Sequence, residues 1–115
     1  FGDRVIRELL VDYLSSLGCE VVATANGREA LSLLGQHGRI SLLVTGWAMP
    51  EMDGGELIQL VRSKISPEKL PIVLITGTHL EAARAYELGE RRVIQGQLSR
   101  PLELEKFLWL VEALR

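Results

Sequence analysis

The sequence has very little cysteine and no long apolar run. The single cysteine, Cys19, cannot form an internal disulfide, and no cluster of Cys and His has the spacing of metal ligands. No apolar stretch approaches the roughly 20 residues that a membrane-spanning helix needs, and no signal peptide opens the chain. These absences argue against a disulfide scaffold and a membrane protein, and they predict a cytoplasmic protein.

An excess of positive charge is also absent. Thirteen Lys and Arg residues face fifteen Asp and Glu residues, for a formal net charge of -2. A protein that binds nucleic acid or an anionic membrane usually carries a basic surface, so neither partner is expected. The length of 115 residues and the hydrophobic content of 47% are ordinary for one globular domain, which we assign to residues 1–115.

Hydrophobic periodicity predicts alternating helices and strands. Apolar residues at helical spacing predict helices over 4–17, 28–36, 54–64, 80–88 and 102–114. Short Val- and Ile-rich runs predict strands over 19–25, 40–45, 72–76 and 93–98, and the run 72–76 is apolar enough to be buried on both faces. This alternation favours an α/β fold with a parallel sheet covered by helices on both sides.

The chain opens on a helix, although a doubly wound domain of this pattern normally begins with a strand in the middle of its sheet. That strand is lost, lies upstream in a longer protein, or is replaced by another segment. Without it, the neighbouring strands would keep unpaired backbone groups. We therefore expect the amino terminus to be incomplete.

The segment around Gly46 is the centre of the pattern. An apolar run ends at Gly46, a loop follows, and a new amphipathic pattern begins at Glu56. In open α/β sheets, ligand sites lie at the carboxyl ends of the strands. The residue at this strand end is glycine, which has no side-chain chemistry.

Several motifs carry a family resemblance. They are Ile6-Arg7-Glu8-Leu9-Leu10, the segment from Gly18 to Leu31, Met49-Pro50-Glu51-Met52-Asp53-Gly54, the segment 71–77, and Leu98-Ser99-Arg100-Pro101-Leu102. With these motifs the chain resembles the receiver domain of response regulators, the phosphoacceptor module of bacterial two-component signalling. The resemblance implies a flavodoxin-like, doubly wound parallel sheet whose first strand is missing from this chain, and a cis peptide bond before Pro101.

The resemblance also implies a phosphorylation site that this chain does not complete. Receivers place an aspartate at the end of the third strand, an acidic pair for Mg²⁺ after the first, a hydroxyl after the fourth and a lysine after the fifth. Here these positions correspond to Gly46, to Phe1 and Gly2 with Asp3 as the nearest acid, to Thr76 and to Arg100. We therefore expect weak or absent Mg²⁺ binding and no other cofactor.

The aromatic residue expected on the last strand corresponds to Gln97, and the segment between Gly89 and Arg100 is longer than the family norm. Neither Glu51 nor Asp53 is a good substitute nucleophile, because Asp53-Gly54 is typical of a turn that caps the following helix.

The resulting prediction is a pseudo-receiver, a non-enzymatic module that acts through protein interaction. One alternative is a working phosphoacceptor whose site is altered at Gly46. Another is a small-anion or nucleotide binder that uses the vacated pocket at Gly46, Thr76 and Arg100.

The last helix supplies the predicted interaction surface. Its apolar side should face the sheet, whereas Trp109 lies on the opposite side, close in angle to Leu102 and Ala113. Mixed charges on the preceding helix and just after it, at Arg84, Glu87 and Arg91, would form an interfacial salt-bridge set or a solvated face. The expected partner is a histidine kinase, another signalling domain or a second copy of the chain.

Overall fold

The computed structural model describes residues 4–18, 20–36, 40–49 and 51–114. Within these ranges the chain forms α1 (Arg4–Ser16), α2 (Gly27–Gln36), β1 (Leu43–Gly46), α3 (Gly54–Arg62), β2 (Ile72–Thr76), α4 (His79–Glu90), β3 (Gly96–Ser99) and α5 (Leu104–Leu114). The five predicted helices are therefore confirmed, with ends shifted by one or two residues. No helix of the described residues is long and apolar enough to cross a membrane.

The three strands form one parallel sheet in the order β1-β2-β3. Gly46 pairs with Ile75, and Thr76 pairs with Ser99, so the carboxyl ends of the strands meet at one edge. All five residues of the central strand β2 are buried, which confirms the prediction from its apolar run.

Apolar side chains pack on both faces of the sheet. On one face, buried residues of α2, α3 and α4 surround Ile72 and Leu74. On the other face, Leu10 of α1 meets Ile75 of β2 and the buried residues Phe107 and Val111 of α5. Helices on both faces confirm the predicted doubly wound arrangement.

The strand predicted over 19–25 is wrong for residues 20–25, which adopt no regular secondary structure. Cys19 lies outside the described residues. A strand requires a hydrogen-bonding neighbour, and among the described residues β1 pairs only with β2. The valines of this segment favour a strand, but no neighbouring strand pairs with it among the described residues, and Val22 is half exposed.

The last strand begins at Gly96, later than predicted, because the chain turns at Arg91 and Arg92 after α4 and meets β2 only from Gln95 onward. The Val93 amide donates to the Leu88 carbonyl at 2.9 Å, and the Gln95 amide donates to the Ile72 carbonyl at 2.9 Å. A Cβ at position 96 would lie 2.5 Å from Cδ2 of Leu110. Glycine at this position therefore lets α5 pack closely against β3.

Side-chain caps begin three of the helices. Asn26, Asp53 and Thr78 accept hydrogen bonds from the amides of Glu29, Glu56 and Glu81, at 2.9, 2.8 and 3.1 Å. The predicted capping role of Asp53 is confirmed. Gly18, two residues after the end of α1, has a φ of 83°, a backbone conformation that favours glycine at the end of a helix.

Candidate functional site

Gly46 is held in a close contact between the end of β1 and the start of α3. The Trp47 amide donates to the Ile75 carbonyl at 3.2 Å, and the Gly54 amide donates to the Trp47 carbonyl at 2.7 Å. A Cβ on Gly54 would overlap the carbonyl oxygen of Gly46, so this approach requires glycine at position 54. The two ends of the loop between β1 and α3 are therefore held close together.

Beside this loop lies an open cleft of about 290 Å³ at the carboxyl edge of the sheet. An indole, a hydroxyl, a carboxylate and a guanidinium contribute to its walls. The lining residues are Trp47, Ala48, Ile75, Gly77, Thr78, Glu81 and Arg100. Of the two residues predicted to contact a phosphoryl group, Arg100 lines the cleft and Thr76 does not.

The Thr76 side chain is fully buried and directed at β3. Its hydroxyl lies 3.5 Å from the Leu98 carbonyl oxygen and 3.4 Å from the Ser99 hydroxyl. The Arg100 amide donates to the Thr76 carbonyl at 2.8 Å, and the Arg100–Pro101 peptide bond is cis, as the resemblance predicted. The anion-binding alternative uses Thr76 together with Arg100, and in this structure the Thr76 hydroxyl lies against β3 while Arg100 lines the cleft.

Trp47 forms one wall of the cleft and is held from two sides. A Cβ on Gly55 would lie 3.1 Å from Cη2 of the indole, so the ring packs closely over the start of α3. The guanidinium carbon of Arg84 lies 5.9 Å from the ring centroid, within the range of a cation–π contact. Arg84, predicted only as an interface residue, therefore also contacts the cleft wall.

Glu81 is a cleft residue that the sequence reasoning missed. Its Oε1 accepts a hydrogen bond from the Gly77 amide at 3.0 Å, while the Thr78 hydroxyl accepts one from the Glu81 amide. The signal was present in the sequence, because a threonine followed three residues later by a glutamate is typical of a capping box.

No cluster of metal-ligating side chains occurs among the described residues. Mg²⁺ prefers several oxygen ligands, commonly carboxylates and waters. In the described ranges no group of three or more His, Cys, Asp and Glu side chains is placed to hold a metal ion, and the Glu81 carboxylate already binds a backbone amide. Asp3 lies outside these ranges.

Trp109, the central residue of the predicted interaction surface, points to solvent, as its position on the helix predicted. Trp109 is 72% exposed, and Arg84, Glu87, Arg91 and Ala113 are exposed as well. Leu102 differs, because it is half-buried against the cluster of Leu10, Ile75, Phe107 and Val111. Since α5 begins at Leu104, residue 102 does not lie on the helix, and the helical angle that placed it beside Trp109 does not apply.

A parallel sheet with helices on both faces and a cleft at its carboxyl edge defines a doubly wound α/β protein. The model of the response regulator receiver domain family matches residues 2–111. The chain therefore belongs to this family, and its flavodoxin-like fold and its place in two-component signalling follow.

Known proteins agree with this assignment. A chemotaxis protein CheY homolog from Campylobacter jejuni is 35% identical over 92 residues, 77% of this chain and 71% of that protein. A response regulator receiver protein from Pseudomonas putida superimposes with a TM-score of 0.83 at 30% identity, covering 97% of this chain and 90% of that chain. A probable two-component system response regulator/GGDEF domain protein has a TM-score of 0.83 at 28% identity, covering 98% of this chain and 47% of that chain.

Proposed function

We propose that this domain is a receiver that accepts no phosphoryl group and signals by binding another protein. The observation that carries the proposal is Gly46 at the carboxyl end of β1, beside the cleft. Receivers resembling this chain use a carboxylate there as the nucleophile, and a glycine has no group that can attack phosphorus.

Nearby carboxylates have other partners, which supports the absence of a substitute nucleophile. Oδ1 of Asp53 caps α3 by accepting the Glu56 amide at 2.8 Å. The exposed carboxylate of Glu51 lies 3.9 Å from the Arg28 guanidinium. Neither residue lines the cleft.

Exposed aromatic and aliphatic side chains support a protein partner. Trp109 on α5 and Leu80 and Tyr86 on α4 are all largely exposed, and large exposed aromatic residues commonly anchor protein interfaces. A histidine kinase, another signalling domain or a second copy fits such a surface better than nucleic acid, because the net charge is -2.

Phosphorylation is tested directly by incubating the chain with acetyl phosphate and Mg²⁺ and measuring its intact mass. We expect no phosphoryl adduct, whereas a receiver with aspartate at this position, treated in parallel, should gain one. A stable adduct on the wild-type chain would overturn the proposal.

The interaction surface is tested by size-exclusion chromatography with light scattering and by binding to candidate kinases. We expect Trp109→Glu to abolish a dimer or kinase complex, because a buried charge would replace an apolar anchor. Leu60→Glu, on the exposed side of α3, is the matched control and should bind normally. If Trp109→Glu leaves every complex intact, the α5 surface is not the interface.

A further inference from the structure

The cleft contains a carboxylate of its own at the start of α4. Oε1 of Glu81 accepts the Gly77 amide at 3.0 Å, and both residues line the cleft with Arg100. A Cβ on Gly77 would lie 3.8 Å from Cδ of Arg100 and 4.0 Å from Oε1 of Glu81. The amide donor of Gly77 is thus occupied by an internal anionic group next to the arginine side chain.

We propose that Glu81 is a blocking residue, which keeps inorganic phosphate and similar oxyanions out of this cleft. The inference rests on the proposed function, because a receiver that accepts no phosphoryl group has no need of an open anion site. Glu81 acts in two ways: it occupies the Gly77 amide, and its negative charge repels an anion that approaches Arg100.

Without the Glu81 carboxylate, the donors on the residues that line the cleft would include the Gly77 amide, the Thr78 hydroxyl and the Arg100 guanidinium, whose five N–H donors allow more than one partner at a time. Each of these groups can donate a hydrogen bond to an oxyanion, and a bond from the charged guanidinium is the strongest of the three. The amide also lies just before the first turn of a twelve-residue helix, where anions are favoured.

A second glutamate in the chain separates blocking from helix capping. In α2, Oε2 of Glu29 accepts the Ala25 amide at 3.2 Å, and Asn26 caps the helix, so the local arrangement matches that of Glu81. Glu29 is exposed and does not line the cleft. Glu29→Ala therefore removes an equivalent capping contact without removing a charge from the cleft.

The test is a titration with inorganic phosphate at constant ionic strength, followed through the amide cross-peak of Gly77 in two-dimensional NMR spectra. The wild-type chain and Glu29→Ala should show no saturable shift. Glu81→Ala should show a saturable shift. Its affinity for phosphate should be at least about tenfold higher than the highest affinity that the wild-type titration allows. Adding Arg100→Gln to Glu81→Ala should abolish the gain.

Glu81→Gln guards against loss of folding in the alanine variant. The amide keeps an acceptor for Gly77 but removes the charge, so it should gain affinity in the same direction and by less. Circular dichroism of each variant shows whether it is folded. Equal phosphate binding by the wild-type chain, no gain in either Glu81 variant, or a gain that persists without Arg100 would overturn the inference. These results are independent of the acetyl phosphate experiment, so the two proposals fail separately.

Discussion

The central part of the molecule (β2 and α3) and its amino-terminal part (α1 and α2) both follow the predicted hydrophobic pattern, but they differ in how many apolar side chains are buried. All of β2 is buried, and α3 buries Leu57, Ile58 and Val61, of which Leu57 is only 1% exposed. In α1 only Leu10 is buried, while Val5 is 75% exposed and Leu9 is 44% exposed. An amphipathic pattern is therefore enough to predict a helix, but burial depends on the layers that surround it.

The sheet explains the difference. β2 has a strand on each side and apolar side chains packed on both faces. Next to α1 and α2 the sheet ends at β1 within the described residues, and residues 20–25 add no strand there. We expect the central part to dominate the free energy of unfolding and the amino-terminal part to open more readily.

The largest effect should come from truncating Leu57 in the central part, and the same change at Leu9 in the amino-terminal part is its comparison. Leu57→Ala removes a buried side chain and leaves a cavity, which should lower the free energy of unfolding by about 2–5 kcal/mol. Leu9→Ala, at a half-exposed position of α1, should cost less than about 1 kcal/mol because little apolar area is lost. Urea denaturation measures both, and equal costs would contradict the proposed difference between the two parts.

An intermediate effect should come from Arg62, whose guanidinium joins α3 to the turn before β3. It donates to the Val93 carbonyl at 2.8 Å and to Oε1 of Gln95 at 2.9 Å. Burial lowers the pKa of Arg62 and the charge of Glu68 opposes the change, but a guanidinium stays charged at neutral pH. Arg62→Met should lower the free energy of unfolding by about 1.5–3 kcal/mol, because these acceptors lose a charged donor.

Arg4→Met is the control for Arg62. Arg4 pairs with Glu8 at 3.0 Å, but both side chains are exposed, so the loss should stay below about 1 kcal/mol. Thermal and urea unfolding of the two variants distinguish a half-buried anchor from an exposed ion pair. An Arg62 variant as stable as the Arg4 variant would show that the turn needs no anchor.

The smallest effect should come from two helical glycines, Gly35 in α2 and Gly89 in α4. A Cβ at either position would meet no atom within 4 Å, so alanine should stabilise its helix by about 0.4–1 kcal/mol. Gly89→Ala should raise the unfolding midpoint. Gly35→Ala should mainly slow amide hydrogen exchange within α2, if the amino-terminal part opens separately. Similar shifts of both midpoints would instead indicate one cooperative unit.

Periodicity was a good guide to helices and to exposure, as the outward position of Trp109 illustrates. It failed where the structure depended on a neighbouring strand or on the residue at which a helix begins. Residues 20–25 lacked a neighbouring strand, and Leu102 turned inward because α5 begins two residues later. The Arg62 contacts span about thirty residues of sequence, so no local pattern could indicate them.

The sequence by itself determined the alternation of helices and strands, the parallel sheet and the glycine at position 46, at the end of β1. These features depend on short-range spacing and on the identity of single residues. The tertiary structure decided that the Thr76 hydroxyl faces β3 and that Glu81 and Arg100 share the cleft. Such neighbours are set by strand register and helix packing between distant segments, because side chains take the partners that packing brings within reach.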